Sequence, residues 1–207
     1  YPYRLVAAAD ALYILSKEIY RSTDGCGSFQ LVDDSDVARL TDYTKQDFGV
    51  DHPEGLLVCS QAHGLLRRNP ASGRLESLAL MDHSVRALRW DAASQRLRGV
   101  TSVGGPFSMD TQGHVEGLGG VGLNACRFAS FSADPRSSQY MLLGSNGNGA
   151  YTTEDGGHSW TRTPIGTDDL SWTPDIQRAP DDPDLLWMAG SHQGLWVSQD
   201  GGRSFDH

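Results

Sequence analysis

The chain has 207 residues, of which 38% are hydrophobic, 24 are glycine and 9 are proline. With 26 acidic against 17 basic residues, its formal net charge is −9, which argues against a nucleic-acid backbone or an anionic membrane surface as the main partner. No run of about 18 apolar residues occurs, so no membrane span is predicted, and the abundance of turn formers favours a soluble all-β domain.

Short candidate strands recur along the whole chain, in pairs that are joined by polar loops. After a first candidate strand at 4–9, the clearest pairs are 12–16 with 19–22, 56–60 with 65–68, 140–144 with 150–153, and 185–190 with 194–198. Acidic turns at 51–54, 91–94, 134–137 and 181–184 are expected to end one strand and begin the next.

An eight-residue motif follows the second strand of a pair. It reads hydroxyl-x-Asp-Gly-Gly-x-hydroxyl-aromatic at 153–160 and 198–205, and a looser copy with Cys26 at a glycine position stands at 22–29. We expect the aspartate to accept backbone N–H groups across a tight turn, the glycines to allow positive φ, and the aromatic to anchor the turn in a core. The residues with these structural roles are Asp24, Gly27, Asp155, Gly157, Trp160, Asp200, Gly202 and Phe205.

The spacing of the turn glycines defines the repeat. Gly27, Gly73, Gly113, Gly157 and Gly202 are separated by 46, 40, 44 and 45 residues, with weaker turns at 69–73 and 110–113. This period is typical of one four-stranded antiparallel propeller blade. We predict one β-propeller domain with about five blades, at 1–34, 35–82, 83–120, 121–166 and 167–207.

The motif resembles the Asp box, or BNR repeat, of sialidase-like β-propellers, where it joins the third and fourth strands of a blade. Similar propellers occur in Vps10-type receptors and photosystem assembly factors, so the resemblance implies architecture more than activity. Two interpretations stay open, a closed ring of five blades and part of a ring of six, seven or more. The family and the missing initiator Met favour an exported protein, located in the periplasm, outside the cell or in an organelle lumen.

Propeller ligands usually bind over the central channel, so the first strand of each blade holds the candidate binding residues. Arginines that converge there would clamp a carboxylate, as in the sialidases that share the Asp box; the alternative is that each arginine is solvated or paired with a neighbouring acid. Trp172 offers a stacking surface in a loop, and His63 and His192 share the loop between the second and third strands of their blades. The candidate arginines are Arg4, Arg86, Arg89, Arg127 and Arg178.

Cys26, Cys59 and Cys126 have no metal-site spacing, and the histidines are scattered singly, so no metal or cofactor is predicted. Cys59 and Cys126 are expected to be buried in strands.

The function favoured by these patterns is a non-enzymatic scaffold or binding module that presents loops to a protein or glycan, alone or as a subunit of a larger assembly. The alternative is a glycoside hydrolase of the sialidase or xyloglucanase type, degenerate or completed by further blades. A glycosidase needs two carboxylates within about 5–10 Å, whereas the motif aspartates are expected at separate blade peripheries. No catalytic residue is therefore assigned.

Overall fold

The structure is a computed structural model that describes residues 4–8, 11–15, 18–32, 48–50, 56–60, 64–69, 71–81, 83–125, 127–165, 173, 175–190 and 194–207. Within these residues, nineteen strands form five antiparallel sheets, in which each strand pairs with the next one along the chain. Four of the sheets have four strands and the fifth has three.

The strands have the following bounds, sheet by sheet. The first sheet contains β1 (Arg4–Ala8), β2 (Ala11–Leu15), β3 (Ile19–Ser22) and β4 (Gln30–Leu31). The second contains β5 (Phe48–Val50), β6 (Leu57–Ser60), β7 (Gly64–Arg68) and β8 (Leu75–Ala79). The third contains β9 (Val85–Asp91), β10 (Arg96–Thr101), β11 (Gly105–Met109) and β12 (Val115–Gly117). The fourth contains β13 (Phe128–Asp134), β14 (Ser137–Ser145), β15 (Ala150–Thr153) and β16 (Thr161–Arg162), and the fifth contains β17 (Asp175–Arg178), β18 (Leu186–Gly190) and β19 (Gly194–Ser198).

The fold class predicted from the sequence is confirmed, because each of the five sheets falls inside the residue range predicted for one blade. The predicted strand pairs are present with shifts of about one residue at their ends, except that β14 begins at Ser137, three residues before the predicted start at 140. In the fifth sheet, Val197 of β19 exchanges two backbone hydrogen bonds with Asp206, at 2.8 and 2.9 Å. The residues after the last aspartate turn therefore run antiparallel to β19, in the place of a fourth strand.

The chain divides into two compact units, Tyr1–Val85 and Arg86–His207. In the first unit, side chains of the first two sheets pack into one core made of Tyr13, Leu15, Ile19, Leu56, Val58, Leu66 and Leu75. In β2 (ALYIL) alternate residues are buried, so Tyr13 and Leu15 lie on the face that packs into this core, and their burial stabilises the sheet pair. Cys59 lies in β6 and is buried, as predicted.

Two clusters of buried hydrophobic residues are described in the second unit. One joins Val100 and Phe131 to Trp160, and the other joins Leu142 and Ile176 to Phe205. Trp160 and Phe205, the aromatic residues that end two of the aspartate motifs, are 3% and 2% exposed. Each motif therefore ends in a side chain that is buried in a core.

The glycine-rich stretch after β12 connects two sheets of this second unit. It runs parallel to the turn of the fourth sheet, where Val121 pairs with Ser159 and the amide of Trp160 donates to the carbonyl of Val121 at 2.8 Å. Gly122 has φ +86°, and a Cβ there would lie 1.9 Å from the carbonyl oxygen of Trp160. Only glycine allows the backbones to approach this closely.

Candidate functional site

The aspartate of the motif at 153–160 is held by hydrogen bonds within its own turn. Oδ1 of Asp155 accepts from the hydroxyl of Thr153 at 2.7 Å and from the amide of Ser159 at 2.9 Å, while Oδ2 accepts from the Ser159 hydroxyl at 2.5 Å. The turns at 22–29 and 198–205 repeat these bonds around Asp24 and Asp200. Both carboxylate oxygens thus accept hydrogen bonds from residues of the same turn.

These hydrogen bonds stabilise the ionised form of the aspartates. Bonds from Ser28 and Ser22 lower the pKa of Asp24 to about 2. Burial by itself would raise the pKa of Asp200, but the bonds from Ser204 and Ser198 outweigh it and the pKa falls to about 2. Carboxylates in this state are poor proton donors, so the turns do not offer a general acid.

The first turn differs from the other two at its second positive-φ position. In the fourth and fifth sheets this residue is Gly157 (φ +100°) and Gly202 (φ +96°), whereas in the first it is Cys26, with φ +76°. Gly27, which marks the repeat in the sequence, is not in the left-handed region. Cys26 is exposed and carries the amide that donates to the Ser22 hydroxyl at 3.0 Å.

The two weaker motifs form simpler turns. Oδ1 of Asn69 accepts from the amides of Ala71 and Ser72 at 2.9 and 3.1 Å. Asp110 accepts from the amide of His114 at 2.9 Å, and the ring Nδ1 of His114 lies 2.9 Å from Asp110 Oδ2. His114 therefore stands where the stronger turns have a serine.

A cavity of about 310 Å³ lies where three first strands of the second unit end, namely β9, β13 and β17. We call it the strand-end cavity. The acidic turns that follow β9 and β13 bring one aspartate each to this place, and β17 brings an arginine. The cavity is lined by residues 89–92, 132–135 and 176–180, which include Arg89, Trp90, Asp91, Ser132, Asp134, Gln177 and Arg178.

Both aspartates of the cavity are paired with arginines that do not line it. Oδ2 of Asp91 lies 3.0 Å from Nε of Arg98, and both side chains are buried. Asp134 accepts from Nε and Nη2 of Arg136 at 3.0 and 2.8 Å. The Arg136 bonds lower the pKa of Asp134 against the opposing effect of burial.

Arg136 also binds Asp184, through Nη1 and Nη2 at 3.1 and 2.6 Å. A single guanidinium therefore links the turn after β13 to the turn before β18. Because the two carboxylates favour its charged form, the pKa of Arg136 is raised.

Arg178 forms part of the cavity wall. Its side chain is 8% exposed, and its guanidinium donates to the carbonyls of Pro183 and Gly201 and lies 3.9 Å from Asp134. Burial lowers the pKa of Arg178, and the negative charge of Asp134 opposes that shift. Arg89, by contrast, is exposed, and its Nη1 donates to the carbonyl of Leu88 at 2.9 Å.

The structure brings two of the candidate arginines together, Arg89 and Arg178, because both lie near the end of a first strand at the same cavity. Arg86 lies in β9 but does not line the cavity, and Arg127 is exposed and immediately precedes β13 instead of lying within it. At Arg127 the backbone carbonyl accepts from the amide of Asn146 at 3.0 Å, which sets the start of the strand. Arg4 begins β1 in the other unit.

Some predicted residues lie outside the described part of the chain, namely Trp172, His63, His192 and Cys126. Trp90, Ser132 and Gln177 also line the cavity and were not predicted from the sequence. Trp90 directly precedes the acidic turn at 91–94, and that position next to a turn was the available signal.

Two observations apply to the described residues as a whole. They contain no group of three or more histidine, cysteine, aspartate or glutamate side chains placed to hold a metal ion. None of these segments forms a helix with the length and apolarity that a membrane crossing requires.

No protein-family model matches the sequence, and no curated protein matches it. Among solved structures, the chain is similar to a GH74 enzyme of Niastella koreensis, with a TM-score of 0.70 and 11% identity over 98% of this chain and 37% of that one. It is similar to YCF48 bound to a D1 peptide, with a TM-score of 0.69 and 14% identity over 95% of this chain and 64% of that one. An ancestral GH74 enzyme gives a TM-score of 0.60 and 13% identity over 77% of this chain and 23% of that one.

The chain thus spans 37% and 64% of the length of the first two of these structures. At such low identity the likeness shows the fold alone. The chain has the fold of a β-propeller, and its five sheets correspond to blades.

Proposed function

We propose that this protein is a non-enzymatic β-propeller that binds a segment of a partner protein at the strand-end cavity. The observation that carries the proposal is the state of the cavity's two aspartates. Arg98 and Arg136 already compensate Asp91 and Asp134 from outside the lining. Arg178 is buried in the wall, 3.9 Å from Asp134, whereas the side chain of Arg89 is exposed, so an anionic group of a ligand can reach it.

The lining suits a peptide with a carboxylate. Arginine and tryptophan are enriched among the residues that contribute most to protein interfaces, since one supplies a charged fork and the other a large apolar surface. Arg89 and Trp90 both line the cavity near the end of β9, and Gln177 lines it from β17. In a chain of net charge −9, a local arginine pair also gives an acidic segment a defined place to bind.

The solved structure of YCF48 is in complex with a D1 peptide. The similarity of fold supports a protein partner for this chain and does not identify it.

Binding is tested on a random peptide array, with the full chain as the probe. We expect enrichment of peptides with a carboxylate next to an apolar residue, and loss of that signal in Arg89→Ala. Arg74→Ala removes the same charge from an exposed position outside the cavity and should leave the signal unchanged. A signal that survives Arg89→Ala, or one lost equally in Arg74→Ala, would refute the proposal.

Hydrolysis of a glycoside is the second candidate, and two of the solved structures named above are GH74 enzymes. A glycosidase needs one carboxylic acid whose pKa is raised so that it can protonate the leaving group. Arg136 lowers the pKa of Asp134, which opposes that role. We expect no release of reducing ends from xyloglucan and none of sialic acid from a fluorogenic sialoside, and turnover that Asp134→Asn abolishes would establish the enzyme.

We further propose that the turns at 22–29, 153–160 and 198–205 are Asp boxes, since all three repeat one set of hydrogen bonds. An exported location is proposed with them. Fractionation of the source cells with an antibody to the chain tests the location, and recovery in the cytosol alone would contradict it.

A further inference from the structure

A second cavity, of about 500 Å³, lies beside the turn that joins β15 to β16. We call it the turn pocket. It shares no lining residue with the strand-end cavity, and its volume falls within the range of small-molecule sites. Its lining includes Tyr140, Thr152, Glu154, Ser159, Thr161 and Arg203.

The turn pocket contains a buried hydroxyl that lacks a partner. Tyr140 is 5% exposed, and its phenolic oxygen has no hydrogen-bond partner among the described residues. Burial raises the pKa of Tyr140 to about 12, so the hydroxyl keeps its proton at neutral pH. Since buried polar groups nearly always have a partner, a ligand atom that reached this hydroxyl would complete its hydrogen bonding.

A cation and a carboxylate stand next to each other in the same lining. The guanidinium of Arg203 lies 4.8 Å from the centre of the Tyr140 ring, and its Nε lies 3.8 Å from Oε1 of Glu154. The side chains of Arg203 and Glu154 are 57% and 74% exposed, so both are accessible to a ligand. Nη1 of Arg203 also donates a hydrogen bond of 3.0 Å to the carbonyl of Asp200, which restricts the position of the guanidinium.

The other lining residues are either uncharged or, in the case of Asp155, already hydrogen-bonded within the turn. Asp155 also borders the pocket, but both of its oxygens accept hydrogen bonds within the turn. The hydroxyls of Thr152 and Ser159 already donate to the Thr161 carbonyl and to Asp155, so they offer a ligand acceptor oxygens, and Thr161 adds a further hydroxyl. Both signs of charge are therefore present in the lining, at Glu154 and Asp155 and at Arg203.

We propose that the turn pocket binds a neutral carbohydrate. A sugar presents hydroxyls that donate and accept at once, which matches adjacent guanidinium, carboxylate and hydroxyl groups better than any ligand of a single charge. This site is independent of the proposed peptide site, because the two involve different residues.

The test is saturation-transfer NMR of the full chain with neutral tetrasaccharides, cellotetraose and maltotetraose. We expect saturable binding of at least one of them. Tyr140→Phe removes only the unpaired hydroxyl, so it should fold as the parent chain does and bind the sugar about fivefold to tenfold more weakly. Glu154→Gln, which keeps the shape of the exposed side chain, should also weaken binding.

Tyr20→Phe is the matched control, because the Tyr20 hydroxyl already donates to Glu18 at 2.5 Å outside the pocket. It should leave sugar binding unchanged. The proposal is overturned if neither tetrasaccharide binds, if binding persists unchanged in both Tyr140→Phe and Glu154→Gln, or if only charged probes such as tetragalacturonate or a chitosan tetramer bind.

Discussion

The amide of Gly157 donates a hydrogen bond of 3.0 Å to the hydroxyl of Thr153, and both residues are buried. The same bond recurs in the other two strong turns, from Gly202 to Ser198 at 2.8 Å and from Cys26 to Ser22 at 3.0 Å. The hydroxyl at the start of the motif thus satisfies an amide that the turn removes from water.

Thr153→Val should destabilise the protein by about 1–3 kcal/mol, because it leaves the buried Gly157 amide without an acceptor while keeping the side-chain shape. Urea denaturation followed by tryptophan fluorescence measures the change. Thr152→Val is the control: Thr152 is only half-buried, and its hydroxyl donates over a long 3.4 Å to Thr161. Equal losses in the two variants would contradict the role given to Thr153.

Cys26→Gly should stabilise the protein by about 0.5–1 kcal/mol. Cys26 has φ +76°, a conformation that costs a residue with a Cβ more than it costs glycine, and the greater flexibility of glycine in the unfolded chain offsets part of the gain. Cys26→Ala removes the thiol but keeps the Cβ, so its urea midpoint should match that of the parent chain. If Cys26→Ala stabilises the protein as much as Cys26→Gly does, the positive φ of Cys26 is not the cause of the gain.

Stability should fall in acid because of the turn aspartates. The pKa of Asp24 and of Asp200 is about 2 in the folded chain, below the unfolded value of about 3.9. A carboxyl with a lowered folded pKa contributes its full stability above the unfolded pKa and loses it as the pH falls through the folded pKa. We therefore expect little change from these groups between about pH 7 and 5, and a decline from about pH 4 to 2 in the free energy of unfolding from urea titrations.

The double variant Asp24→Asn, Asp200→Asn should show a shallower decline over the same acid range. A free energy of unfolding that rises between about pH 4 and 2 in the parent chain would contradict the lowered pKa values.

Gly122→Ala should destabilise the protein by more than about 2 kcal/mol, since it combines a positive φ with a collision between Cβ and the Trp160 carbonyl. Gly120 lies in the same stretch, outside the positive-φ region and with no atom within 4 Å of a built Cβ. Gly120→Ala should therefore change the thermal midpoint little. Similar thermal midpoints for the two variants would contradict this prediction, because they would mean that the backbone shifts to make room for a Cβ at position 122.

Pairings between repeats could not be predicted from the sequence. The sequence predicted Arg89 and Arg178 as equivalent binding candidates. The structure distinguishes them by burial, because Arg178 is buried beside Asp134 of another sheet and Arg89 is exposed. The pairing of Arg203 with the Tyr140 ring likewise joins two sheets. Such contacts depend on the distance and angle between neighbouring sheets, which no local pattern encodes.

The sequence by itself determined the repeat and the order of the strands, because the motif recurs at a regular spacing. It also determined the chemistry of the strong turns, since this depends on residues within about five positions of one another, as Thr153 and Gly157 are. Only the tertiary structure decided which side chains meet. The strand-end cavity collects the ends of three strands that are far apart in sequence, and the charge of its aspartates is compensated by arginines outside its lining. The physical reason is that hydrogen bonds of a turn are closed locally by backbone geometry, whereas a binding site is set by the packing of whole sheets.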